Sequence, residues 1–307
     1  PPRGIIEDYF GEEIASNTRI YQLHVTPENT PDINKLLIRL KSLIGLSDRR
    51  ATQIRKKIKK QKKWETIIIS ENLTWSEFSR LNLFLHELQG AEPVVSVARV
   101  YPNKSTSHLV GYVSQASRKD LAKKEYLRKM AVSGISVGKT GLESKLDKNI
   151  IGEVGFQRYE VNSAGKRIKQ IDLDKGESGK NYITTIDLEV QKFSAELIND
   201  KAAAVCVMDI YNGDIIAMAS SPTYDPNVFV HGVKKNDWQY LLKHRDKPLM
   251  NKAISGLYPP GSTIKTIVAL SALENDVWNP KKLVTCKGKI ELYGEKFHCW
   301  KKKGHGA

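Results

Sequence analysis

A chain of 307 residues, 40% apolar and 27% charged, is long enough for two ordinary domains and has a globular balance. It contains no apolar run of about 18 residues, so nothing in it reads as a bilayer span, and three cysteines make no disulfide framework. The net charge of +15 is partly local, in "RKKIKKQKKW" (Arg55–Trp64) and "WKKKGHG" (Trp300–Gly306). Such runs suit an anionic lipid surface or acidic polymer. None of the usual nucleic-acid-binding motifs accompanies them, and no nucleic-acid partner is expected.

The opening segment holds two strand-like pieces, "GIIEDY" and "RIYQLHV", joined by turn residues. Ile33, Leu36, Leu37, Leu40 and Ile44 then follow helical spacing. Arg49 to Lys63 reads as an exposed basic helix and "WETIIIS" as a strand. "TWSEFSRLNLFLHEL" predicts a helix with Thr74 as N-cap and Glu77 completing a capping box, and "PVVSVARVYP" is a further strand. A polar helical region over Ser114–Lys129 leads into a Gly-rich stretch, where Ser136 is expected in a loop. "QRYEVNSAGKRIKQIDL" reads as a hairpin turning at Asn162–Gly165. "DLDKGESGKN" (Asp172–Asn181) reads as a linker and sets the expected domain boundary.

Beyond it come a short strand "YITTID", a helix "LEVQKFSAELIND", and a hairpin around Asn212–Gly213 with Cys206 as a small core residue. "SSPTYDPNVF" is a Pro-rich exit loop, and a final helix begins near Ser262. The class is α+β.

Three places read Ser-x-x-Lys. Ser136–Lys139 lies in the Gly-rich stretch and Ser163–Lys166 at a hairpin tip, so both are background. The third, in "GLYPPGSTIKTIVALSAL", differs in context. Pro259 and Pro260 fix the approach, Gly261 allows a close backbone, and Ser262 falls where free N–H groups favour negative charge. Lys265 is one turn on, on the same face. The surrounding apolar residues predict a central helix, in which a desolvated Lys265 could take the serine proton. An ordinary helix with Ser262 as N-cap and Lys265 reaching outward is an equal reading. Near the end, Cys286, Cys299 and His305 form C-x12-C-x5-H, with His298 adjacent. Thiolate and imidazole donors suit tetrahedral zinc; a Cys286–Cys299 disulfide and unrelated free thiols are the alternatives.

"YPPGSTIK" after "SSPTYDPNVF" resembles the active-site serine region of class B penicillin-binding proteins, for which Ser-x-x-Lys is the first catalytic motif. "RGIIEDYFGEEIASN" is similar to the entry of that family's non-catalytic domain, "GKTGLES" to its Gly-rich signature, and "TTIDLEVQ" to the opening of its transpeptidase domain. "NKAISGLYPPGSTIK" and "FHCWKKKGHG" point to the branch that serves cell elongation. The resemblance implies a non-catalytic dimerisation or pedestal domain over 1–175, with a helical head at about 30–100. The N-terminal portion of a serine β-lactamase-like transpeptidase domain would follow over 176–307. It implies a peptidoglycan D,D-transpeptidase with Ser262 as nucleophile and Lys265 as base, acting on stem peptides and acylated by β-lactams.

It also implies a membrane glycosyltransferase and a rod-shape scaffold protein as partners. The place would be the periplasmic face of a bacterial inner membrane, through an N-terminal anchor that does not appear in these 307 residues. Zinc near the active site occurs in some relatives, which favours His305 of "GHG" over His298; no organic cofactor is implied. The family's Ser-x-Asn/Asp and Lys-Thr/Ser-Gly motifs follow the nucleophile, and residues 263–307 contain neither. The literal "KTG" at Lys139–Gly141 precedes the nucleophile and belongs to the Gly-rich signature. The expectation is therefore a chain that does not turn over substrate alone, and in which a scaffolding role is the alternative function.

Overall fold

A computed structural model of the chain describes residues 2–130, 135–161, 167–230 and 232–306. It separates into two compact units, Pro1–Gly256 and Leu257–Ala307. Among the described residues no helix is long and apolar enough to cross a membrane.

The first unit starts with β1 (Ile6–Glu7) and the long β2 (Glu13–Val25). The helices α1 (Ile33–Ile44) and α2 (Asp48–Lys60) follow, then β3 (Ile67–Leu73), α3 (Trp75–Leu83) and β4 (Ala91–Val100). β2 is the spine. It pairs antiparallel with β4 from Ser16↔Val100 to Val25↔Ala91, and with β3 and β1 along its other edge. Residues of β2, β3 and the three helices close one core around Leu23, Leu37, Leu40, Ile54, Ile67 and Leu81.

Local chemistry sets the helix ends. Asp32 accepts from the N–H groups of Asn34 and Lys35, Gly45 closes α1 in the left-handed region, and Ser47 caps α2. Thr74 and Glu77 form the reciprocal capping box that their spacing predicts. Thr74→Ala should cost about 1 kcal/mol in urea unfolding; a midpoint that does not move would mean α3 is held by packing alone.

After β4 the chain forms α4 (Ser107–Val110), β5 (Val113–Gln115), α5 (Arg118–Lys123), α6 (Glu125–Met130) and β6 (Ser136–Gly138). Ser136 is thus not in a loop: it pairs with Gln115 and its carbonyl accepts from Arg3. Next come α7 (Gly141–Lys145) and α8 (Asp147–Ile150), then the hairpin β7 (Glu153–Val161) and β8 (Arg167–Glu177). The strands bear out a hairpin, while its expected turn and the Ser163–Lys166 pair lie outside the described residues. The expected linker is half strand, since β8 runs to Glu177 opposite Glu153. Its polar composition reflects a two-stranded ribbon exposed along most of its length.

A buried ionic cluster joins the two ends of this region. The Arg3 guanidinium donates to Glu143 at 2.7 Å and to Asp147 at 2.9 Å, and Arg99 Nε donates to the other Glu143 oxygen at 2.6 Å. Tyr101 donates to Glu143 and accepts from the N–H of Val113. Burial raises the Asp147 carboxyl, but Lys124, Tyr126, the Gly138 N–H and Arg3 together hold it below the usual range. Hence the Gly-rich signature is structural: Glu143 is fully buried and anchors the entering chain at Arg3.

The strand β9 (Tyr182–Ile183) runs parallel to β1 and is followed by α9 (Leu188–Leu197), β10 (Ala203–Met208) and β11 (Ile215–Ser221). Gln191 of α9, fully buried, donates to the Ser105 and Met218 carbonyls and accepts from the Met218 N–H, tying α9 to β11. Cys206 is exposed rather than a core residue, because β10 and β11 form only a two-stranded sheet and no described element covers that side of β10. The exit loop and the helices α10 (Asn227–Val230), α11 (Lys235–Lys243) and α12 (Lys252–Ser255) complete the unit. Asn227 exchanges two hydrogen bonds with the Tyr101 backbone and Ser107 donates to the Tyr224 carbonyl, so the loop is stapled to the N-terminal half.

The second unit contains α13 (Ile264–Glu274), entered through a 3-10 turn at Gly261–Thr263, and the hairpin β12 (Lys289–Leu292) and β13 (Glu295–His298).

Candidate active site and metal-ligand cluster

Ser262 lies in the 3-10 turn, three residues after Pro259 and two after Pro260. Gly261 sits at φ 56°, a left-handed conformation that glycine adopts without strain. Thr263 donates its hydroxyl to the Pro260 carbonyl and Thr266 to that of Thr263, so both neighbouring threonines spend their hydroxyls on the backbone. Ser262 caps nothing, and among the described residues its hydroxyl has no hydrogen-bond partner. That removes the reading of Ser262 as an N-cap. Its side chain is free for chemistry.

Lys265 follows one turn later in α13, near enough in sequence to share a helix face with Ser262. The expected burial of this helix is not seen. Ile267, Val268 and Leu270 are 63%, 59% and 58% exposed, and Lys265 is exposed with them. An all-round apolar helix normally lies inside a larger layer; among the described residues of the unit Leu257–Ala307 the short β12–β13 ribbon is the only sheet. The Ser262–Lys265 pair is therefore placed by the turn, while the low-dielectric surroundings that would activate the lysine are not supplied by the described residues.

The other Ser-x-x-Lys match within the described residues is spent elsewhere. Lys139 pairs with Asp120. Partial burial raises the Asp120 carboxyl, but Lys139 and Ser117 outweigh it and hold it down to about 2. Lys139 of the literal "KTG" is thus a partly buried ion-pair partner.

Cys286, Cys299 and His305 meet in space, their donor atoms all within 4.8 Å of one another. Backbone pairing assembles them. Cys286 and Gly306 form an antiparallel bridge, with N–H to carbonyl distances of 2.8 and 3.2 Å, and the Cys299 N–H donates to Gly288 at 2.9 Å. The hairpin β12–β13 lies between the two cysteines and brings them back together.

Cys299 Sγ is 3.4 Å from His305 Nδ1. His305 first, then the backbone N–H groups of Gly288 and His305, hold the Cys286 thiol down to about 6. Tetrahedral zinc with bonds of about 2.0–2.3 Å has donor–donor edges of about 3.3–3.8 Å; the Cys299–His305 edge lies in that range, and two thiols with an imidazole are the donor types that ion takes. Both cysteines are free, and His298 stays on the strand opposite Lys289.

Spacing alone misses the two glycines that let this cluster close. A Cβ on Gly304 would lie 2.0 Å from the Cys286 carbonyl oxygen, and one on Gly288 would lie 2.3 Å from that of Lys302. The "C-K-G" and "G-H-G" strings carry that signal, because glycine beside a ligand commonly marks close backbone approach. Trp300 packs edge-on against His305 at 5.1 Å between ring centroids.

Comparison with known proteins places these features. Residues 1–184 match the penicillin-binding protein dimerisation domain, and residues 203–307 match the penicillin-binding protein transpeptidase domain. The chain is 33% identical over 311 aligned residues to peptidoglycan D,D-transpeptidase MrdA of Escherichia coli K12, covering all of this chain and 49% of that protein. It is 30% identical to penicillin-binding protein 3 of Bacillus subtilis, covering 94% of this chain and 42% of that one. The chain spans about half the length of the curated relatives it matches. Among solved structures, penicillin-binding protein PBP2 of Helicobacter pylori in complex with MreC superposes with a TM-score of 0.84 at 28% identity, covering all of this chain and 57% of that one. The same protein without MreC gives 0.75. With a dimerisation domain leading into a transpeptidase domain whose Ser-x-x-Lys opens a helix, the chain belongs to the penicillin-binding proteins.

Proposed function

We propose that the protein to which this chain belongs is a peptidoglycan D,D-transpeptidase, with Ser262 as its nucleophile and Lys265 as its general base. The supporting observation is Ser262 itself: an uncapped, unpartnered hydroxyl on a turn that opens a helix, one turn before a lysine, inside a transpeptidase-family segment. In the reaction, Ser262 Oγ attacks the penultimate D-Ala carbonyl of a stem peptide as Lys265 takes its proton. Terminal D-Ala leaves with that proton on its amine, and an ester joins the stem to Ser262. The amine of a neighbouring stem then displaces the serine and forms the cross-link. The Ser262 N–H, at a helix start, is placed to stabilise the oxyanion. A β-lactam would open on the same hydroxyl. Tryptic mass spectrometry of the full-length protein treated with penicillin should find the adduct on the peptide carrying Ser262; an adduct on any other residue refutes the assignment. Residues 1–307 alone, lacking the two later motifs, should acylate far more slowly.

Cys286, Cys299 and His305 would hold a structural zinc, with a fourth ligand from outside the three. The ion would clamp the ends of the β12–β13 segment together, and the transfer chemistry above does not pass through it. Metal analysis should give about one zinc per chain, reduced in Cys286→Ser and Cys299→Ser. Unchanged metal content in both variants, or a Cys286–Cys299 disulfide in the purified protein, would refute the site.

The resemblance to a PBP2 that is seen bound to MreC supports a rod-shape scaffold as a partner; a membrane glycosyltransferase beside it, on the periplasmic face of the inner membrane, is the part of the proposal that rests on the sequence resemblance alone. A groove of about 1320 Å³ in the first unit, lined by Val97, Phe156 and Leu173 together with charged residues such as Glu71 and Lys175, offers a mixed surface for such a contact.

A further inference from the structure

We propose that the outer face of α2 docks on an acidic phospholipid surface. The segment from Asp48 to Trp64 carries nine lysines and arginines against one acid, Asp48, which is paired with Lys41 of α1. Ala51 and Ile54 are buried in the core and Ile58 packs against it, so one side of the helix is committed to the fold. At 3.6 residues per turn, Arg49, Lys56 and Lys60 fall within about 40° of one another on the opposite side, with Lys57 and Lys59 flanking them. Arg50 and Arg55 donate to the Ile69 carbonyl and to Asn34. Among the described residues, Lys56, Lys57, Lys59 and Lys60 meet no acid, and Glu28 and Glu65 near the helix end form no ion pair with them.

The shape of this surface selects the partner. The cations lie on a convex row about 17 Å long, and none of them lines the large groove of the unit. A groove would follow a single polymer strand; a convex row meets a plane. Just beyond the helix, Trp64 is 63% exposed with the Lys62 ammonium 5.2 Å over its ring. Tryptophan beside lysine is the pairing that settles at headgroup depth. Because the apolar stripe of α2 is already used in the core, the helix would rest on the headgroups rather than insert. Binding should therefore be electrostatic and sensitive to salt.

The test is co-sedimentation of residues 1–307 with vesicles of phosphatidylcholine alone, or of phosphatidylcholine with one-third phosphatidylglycerol. The proposal requires binding to the acidic vesicles only, lost at high salt, with Trp64→Phe removing the fluorescence blue shift. At roughly fivefold per basic side chain, the combined Lys56→Glu, Lys57→Glu, Lys59→Glu and Lys60→Glu variant should bind more than 100-fold more weakly. The matching Lys→Gln variant guards against misfolding, which far-UV circular dichroism would reveal, and should bind at an intermediate level. Reversal of Lys301, Lys302 and Lys303 should leave binding unchanged. Equal binding to neutral vesicles, loss through the Lys301–Lys303 variant instead, or capture of DNA or polyglutamate without vesicle binding would overturn the proposal. None of these outcomes depends on the transpeptidase reaction.

Discussion

Ser262→Ala in the full-length protein is expected to abolish covalent labelling by a fluorescent penicillin, leaving no adduct on the peptide that carries residue 262. The reason is chemical: labelling is ester formation at the serine oxygen, and alanine has none. Lys265→Ala should be separable from it. The nucleophile remains, but without a base the rate should fall by about 10²- to 10⁴-fold, leaving a slow, measurable adduct. Lys265→Arg should fall as far, since a guanidinium keeps the charge but does not accept a proton in this pH range. Neither variant should unfold the protein, because Ser262 caps no helix and neither side chain has a hydrogen-bond or ion-pair partner among the described residues, and far-UV circular dichroism checks this. Labelling that survives Ser262→Ala, or a lysine variant as fast as wild type, would overturn the assignment of roles.

How far the sequence carries the reader depends on how local the physics is. The capping box at Thr74–Glu77 is legible because donor and acceptor lie within three residues. The β10–β11 hairpin around Asn212–Gly213 is legible because turn chemistry marks it. Cys206 and the apolar face of α13 are misread because a one-dimensional pattern shows that a side chain could be buried, not whether a covering layer is present. The metal-ligand cluster sits between these cases: its three residues are legible by type, whereas the Cys286–Gly306 bridge that assembles them is not. Least legible is the cluster around Glu143, whose partners Arg3 and Arg99 are 140 and 44 positions away. One hint exists, an arginine inside the largely apolar run "VVSVARV" of β4, which would have to find a buried acid.

That cluster supplies the largest stability effect expected in the first unit. Glu143→Ala strips Arg3 and Arg99 of a shared carboxylate while both guanidiniums stay largely buried. Removing one member of a buried ionic cluster costs about 3–5 kcal/mol, chiefly because the remaining charges are left uncompensated. Set against a total of about 5–15 kcal/mol for a folded domain, that is enough to loosen the junction where Arg3 tethers the entering chain to α7 and α8. The cost comes from the stranded charge rather than from lost attraction. Adding Arg99→Met to Glu143→Ala should therefore recover part of the loss, giving a favourable coupling in the double-mutant cycle. Urea unfolding of residues 1–307, followed by far-UV circular dichroism, reads both quantities. Asp147 adds a pH dependence of defined sign: its carboxyl is held below its unfolded value, so its contribution is present above the ordinary carboxylate range and is lost as pH falls through the folded value. Acid should thus destabilise the wild type more steeply than Asp147→Asn. A Glu143→Ala loss under about 1 kcal/mol, typical of an exposed pair, would show that the cluster is a solvated surface network and that the entering chain is held by its backbone bonds alone.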